Sequence, residues 1–318
     1  MSADTTTTPA PKTGPASAAP QAHRVGRALR VFAWLSFLAE VIIIGTGGAV
    51  RLTGSGLGCP TWPTCTADSL VATPEMGIHG AIEFGNRLMT GLVGILAVVV
   101  LVIVVVRYRR RRRLVVLAAV VVAGVIAQAV VGGITVLTGL NPFIVGFHYV
   151  ASLALVGVTA GFLALMDEPP SPRARAVPRR HAMLAHVTSA VLALTIAMGV
   201  LTTGAGPHSG DAAAGRNGFD AELLEHVHAW PGYALLVLTI ALVAAAVRAR
   251  RTAPRLLRWS VALLIVEVVQ IGVGLYQARN GLPELAVGAH MVLAAVAVAV
   301  MTVVVIRLRE PAASTADA

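Results

Sequence analysis

Charge is scarce in this chain. Only 13% of its 318 residues are Asp, Glu, Lys or Arg, 56% are apolar, and the mean hydropathy is +0.79. That makeup excludes an ordinary soluble domain and points to a bilayer. Apolar stretches recur near 29–50, 80–106, 113–138, 143–166, 182–203, 221–247, 256–277 and 284–306. About 20 such residues in a helix cross a hydrocarbon layer about 30 Å thick. The expected fold class is therefore an all-α integral membrane protein with eight transmembrane helices.

The net charge of +10 is not spread over an amphipathic or aromatic-interleaved surface, which speaks against nucleic acid as a partner. Arginines gather instead before span one (Arg24, Arg27, Arg30) and after spans two, four, six and eight. By the positive-inside rule these segments, and with them both termini, are expected in the cytoplasm. The outer loops then run near 51–79, 139–142, 204–220 and 278–283. Cys59 and Cys65 both fall in the first of them, a compartment that permits a disulfide. Redox exchange by a thiol pair and metal binding are the other readings of that spacing. The Thr-, Ala- and Pro-rich start lacks the apolar core of a signal peptide, so residues 1–27 and 309–318 read as cytoplasmic tails.

An internal repeat organises the spans. At an offset of 142 residues Gln128, Gly132, Gly139, Leu140, Gly146 and His148 fall opposite Gln270, Gly274, Gly281, Leu282, Gly288 and His290 without a gap. The same offset sets Glu83 opposite Glu225 and Asn86 opposite His228. Upstream, Thr53-Gly54-Ser55-Gly56 matches Thr203-Gly204-Ala205-Gly206 at an offset of 150, so the first outer loop carries the extra segment. Two parallel four-helix units follow, at 28–166 and 182–308, joined by an Arg- and Pro-rich linker at 167–181.

Polar residues inside spans are costly and are functional candidates. Asn86, His148, His228 and His290 each lie roughly six to nine residues from an outer helix end, about 9–14 Å deep, and form one layer. Histidine is an axial haem ligand, and a four-helix bundle can hold a porphyrin between facing helices. His228 and His290 fit bis-histidine ligation in the second unit; the bland alternative is a hydrogen-bonded packing role. The first unit keeps His148 but has Asn86, a poor haem ligand, where symmetry expects histidine. Asn86 then either leaves an open coordination position or makes a helix contact. His79, seven residues earlier, shares its face but lies about 10 Å higher.

Glu83, one turn above Asn86, is placed to move protons or to stabilise positive charge on a substrate carbon. An ion pair with Arg87, four residues on, is the alternative. Arg51 and Arg87 are candidate clamps for haem propionates, with an interfacial anchor as the other reading of Arg51. Glu40 and Glu267, inside the first and seventh spans, receive no role.

With these residues in view, Gly48-Ala49-Val50-Arg51-Leu52-Thr53-Gly54-Ser55-Gly56-Leu57-Gly58-Cys59-Pro60 resembles the signature of the haem A synthase family. Glu83-Phe84-Gly85-Asn86-Arg87 resembles that family's Glu-aromatic-x-His-Arg motif, and the segment from Thr203 to Asp211 resembles its later outer loop. The resemblance implies oxidation of the C8 methyl of haem O to a formyl group, giving haem A for cytochrome oxidase assembly. Glu83 would take the catalytic carboxylate position. Haem b would sit between His228 and His290, and substrate haem O in the first unit with His148 on its iron. The chain departs from the family at Asn86.

A dihaem electron-transfer cytochrome without oxygenation is the competing reading, and Asn86 argues against two saturated haems. A transporter fits the outer-half histidine layer less well, and a haem O synthase would need acidic diphosphate–magnesium motifs that the sequence lacks. The expected partners are membrane lipid, haem O delivered by a haem O synthase, and an electron donor of unidentified type. A homo-oligomer is left open.

Overall fold

The computed structural model describes residues 24–311. Most of the expected N-terminal tail and the segment 312–318 therefore lie outside the described residues. Eight helices carry the chain: α1 (Arg27–Leu52), α2 (Gly77–Arg107), α3 (Arg112–Leu137), α4 (Pro142–Met166), α5 (Arg179–Ala205), α6 (Ala221–Arg248), α7 (Pro254–Arg279) and α8 (Glu284–Ile306). All eight are long and apolar enough to cross a membrane, and the chain is a multi-pass membrane protein.

Local chemistry sets several helix ends. The Asn141 side chain caps α4 by accepting from the Phe143 and Ile144 N–H groups, with Pro142 at the first helical position. Asp220 caps α6 through the Leu223 N–H. The turns after α3 and α7 share one form. Gly139 and Leu140 have φ of 61° and 59°, Gly281 and Leu282 have 71° and 58°. Leu140 N–H donates to Thr135 O at 2.8 Å, and Leu282 N–H to Gln277 O at 2.9 Å. The likeness seen in the sequence at an offset of 142 thus extends to the backbone.

α1 packs on α2 and α4, and α3 on α2 and α4. α5 packs on α6 and α8, and α7 on α6 and α8. α4 and α8 lie against each other, where Tyr149 Oη donates to Met291 O at 2.9 Å. Small residues permit this approach: a Cβ on Gly157 would stand 3.1 Å from Thr302 Oγ1. Such close backbone packing replaces the hydrophobic drive that lipid does not supply. Ile95, Val102, Ile126, Val237 and Ile265 are exposed, as lipid-facing side chains are.

At the arginine-rich end the segment after α4 is ordered. Residues Arg173–Arg175 (β1) pair antiparallel with Arg309–Pro311 (β2), Arg175 opposite Arg309. Beside them Glu168, 7% exposed, pairs with Arg173 and Arg307. Arg307 also donates to Ala164 O at 3.0 Å, and Arg111 to Leu165 O at 3.1 Å. Burial pulls the Arg173 and Arg111 guanidinium groups below their ordinary range, against the opposing pull of Glu168.

Candidate functional site

The polar layer is built by pairing each histidine or Asn86 with a glycine on the preceding helix. His228 of α6 faces Gly199 of α5, where a Cβ would meet its Cε1 at 2.8 Å. His290 of α8 faces Gly274 of α7 at 3.2 Å, and His148 of α4 faces Gly132 of α3 at 3.4 Å. Asn86 of α2 faces Gly47 of α1, more loosely, at 3.9 Å. A side chain at Gly199 or Gly274 would press on the facing ring, so these two glycines make room for His228 and His290, whereas at Gly132 and Gly47 the contact would be an ordinary one.

Histidines 228 and 290 come together. Their ring centroids are 6.2 Å apart, with planes at 78°. One metal ion can lie between two imidazoles at this separation with bonds of about 2 Å to each. His228 Nδ1 lies 3.0 Å from Thr195 O; an Nδ1–H donor there leaves Nε2 as the ligand nitrogen, the usual second contact of a metal-bound histidine. The Nδ1 atoms of His290 and His148 are buried without a hydrogen-bond partner. Gln270 donates to His290 O at 3.1 Å and Gln128 to His148 O at 2.7 Å, fixing equivalent points of α8 and α4. These residues fit a haem iron between His228 and His290. No cluster of three or more His, Cys, Asp or Glu suited to a bare metal ion occurs among the described residues.

The other half of the layer differs. Asn86 Oδ1 accepts from Thr46 Oγ1 at 2.8 Å, so the helix-contact geometry is present. His79 stands apart, its Nδ1 2.9 Å from Ser55 Oγ.

Above Asn86, Glu83 is 4% exposed. Its Oε2 accepts from the Cys59 N–H at 2.6 Å, and its Oε1 from Arg87 Nη2 at 2.6 Å. Arg87 also donates to Cys59 O at 2.9 Å and Thr64 O at 3.0 Å. Cys59 and Cys65 form a disulfide, and both are fully buried. The loop closes over α2 and α3. A Cβ on Gly58 would strike His79 O at 2.3 Å, and one on Gly133 would strike the Trp62 ring at 2.4 Å. The ion pair with Arg87 thus exists, but it is one edge of a network that holds a buried carboxylate against the disulfide loop.

Arg51 joins loops rather than standing free. Its Nε donates to His208 O at 2.7 Å and its Nη2 to Thr203 O at 2.9 Å. His208 in turn contacts Leu282 O at 3.0 Å. Sequence reasoning had no means to find Thr46, Thr195, Gly47 or Gly199, since none is carried by the repeat. Glu40 and Glu267 are buried, each accepting from a threonine, Thr159 and Thr239, at 2.8 Å.

A 28% identical relative named heme A synthase, from Halalkalibacterium halodurans, aligns over 48% of this chain and 52% of its own length. One from Lysinibacillus sphaericus is 35% identical over 40% of this chain and 41% of its own, and one from Listeria welshimeri is 31% identical over 39% and 41%. The chain thus spans about half or less of the length of these relatives. The family model described as cytochrome oxidase assembly protein, COX15-CtaA, matches residues 30–209, from α1 into the start of the loop after α5. The chain belongs to the COX15-CtaA family of cytochrome oxidase assembly proteins.

Proposed function

We propose that this protein is a haem A synthase, oxidising the C8 methyl of haem O to a formyl group for cytochrome oxidase assembly. The observation that carries the reading is the opposed pair His228 and His290, 6.2 Å apart. A haem b bound there would supply electron transfer. The family membership and the relatives named heme A synthase support the same chemistry.

On this reading the chain forms two parallel four-helix units, 28–166 and 182–308, with the linker 167–181 and both tails in the cytoplasm. The matching turns after α3 and α7 and the matching Gln128 and Gln270 contacts support the two units. Substrate haem O lies in the first unit with His148 toward its iron, and Asn86 gives the opposite side no ligand. Glu83 is the catalytic carboxylate. Its two hydrogen bonds orient it, and it holds or accepts a proton as hydrogen leaves the methyl carbon. Arg51 and Arg87 contact the propionates; Arg51 Nη1 takes part in no hydrogen bond among the described residues. The disulfide loop excludes water above the site. The haem O is delivered by a haem O synthase, and a separate electron donor supplies electrons.

The test is the chromatographic profile of haems extracted from membranes of a haem-O-producing host with and without the protein. Haem A or its hydroxylated precursor is expected. Haem b alone, with haem O unchanged and the protein abundant, would favour a dihaem electron-transfer cytochrome.

A further inference from the structure

A cleft of about 410 Å³ opens at the arginine-rich end, between the linker after β1, the start of α5 and the end of α6. Its volume is that of a small-ligand site. The charged side chains on its walls are Arg175, Arg180 and Arg248, with His181 beside them, and no acidic residue lines it. None of the three arginines makes a salt bridge among the described residues, whereas nearby Arg173, Arg255 and Arg307 all pair with Glu168. His181 Nδ1 is buried without a hydrogen-bond partner. The 27-residue helix α5 begins here behind Pro178 with no side-chain cap, so its positive dipole end adds to the cationic field.

Arg175, Arg180 and Arg248 are exposed at the cleft, and cations of one sign converging on a cleft focus its field and concentrate anions there. From this unmatched cluster we infer that the cleft binds a phosphate-bearing anion, presented by the headgroup of an anionic phospholipid. The position favours lipid over free phosphate. The cleft lies where α5 begins and α6 ends, at the arginine-rich end of these long apolar helices, and Ala176, Val177 and Ala249 form its apolar wall. Beyond its rim Met183, Val187 and Val247 are exposed, an apolar path for acyl chains. Basic pockets between transmembrane helices recognise such headgroups. The inference is independent of the haem chemistry.

The experiment measures binding to the full chain in detergent by native mass spectrometry. The probes are short-chain phosphatidylglycerol, short-chain phosphatidylcholine and inorganic phosphate. Phosphatidylglycerol is expected to bind in preference to both. Arg180→Gln with Arg248→Gln should weaken it about 25-fold, on about fivefold per arginine. Arg250→Gln with Arg251→Gln, an equal charge loss outside the cleft, should change it less than about twofold. If the first double variant does not fold, Arg175→Gln alone should give a loss of about fivefold. Equal binding of the two lipids, or equal losses in the two double variants, overturns the proposal. Phosphate binding as tight as the lipid overturns the lipid source.

Discussion

Glu83 and Cys59 are joined by a 2.6 Å hydrogen bond from the Cys59 N–H to the Glu83 carboxylate, across 24 residues of sequence. The disulfide loop therefore fixes the direction of the one buried carboxyl assigned to chemistry. Arg87 closes the ring by binding Glu83 and Cys59 O together.

Glu83→Gln preserves the size of this side chain and one acceptor for the Cys59 N–H, so the helices and the His228–His290 pair should be unaffected. Haem A formation should fall by about 100-fold or more, the scale of a lost acid–base group. Haem extraction from membranes with equal protein levels checks both halves. A normal yield removes Glu83 from the mechanism.

Cys59→Ser with Cys65→Ser releases the loop that carries two of the carbonyls held by Arg87, Cys59 O and Thr64 O. The haem A yield should drop at least about tenfold from misorientation of Glu83. The low-spin haem of the other half should remain, since His228 and His290 contact none of these residues.

Gly199→Ala places a Cβ 2.8 Å from His228 Cε1. The ring must move, and low-spin haem absorbance should be lost or halved in the purified protein. Gly85→Ala is the control. It lies in α2 with nothing within 4 Å of the new Cβ, and haem content should stay at the wild-type level.

Glu168→Ala leaves Arg173 and Arg307, each with a side chain only 9% exposed, without their carboxylate. Removing one partner of a buried ion pair costs about 3–5 kcal/mol. The thermal unfolding midpoint should fall, and protease should cut between α4 and α5 sooner than in the wild type.

The eight spans were legible because each is a long apolar run, and the turns after α3 and α7 because Gly139-Leu140 and Gly281-Leu282 repeat. Asn86, His148, His228 and His290 stood out in the sequence because polar residues are rare inside spans. What the sequence hid are contacts between distant segments. Glu168 meets Arg307 across 139 residues, and β1 meets β2, so the segment between α4 and α5 is tied to the chain after α8. The partners of Arg51 are backbone carbonyls, which leave no residue-type signal. Asn86 looks like a lost ligand in the sequence; in the structure it also bridges α2 to Thr46 of α1.

The most direct measurement is the electron paramagnetic resonance spectrum of the oxidised, purified protein beside His228→Ala and His290→Ala. The account predicts a bis-histidine low-spin haem signal in the wild type that disappears in both variants while the protein remains folded. The same signal persisting in either variant would contradict the assignment of this pair as the haem ligands.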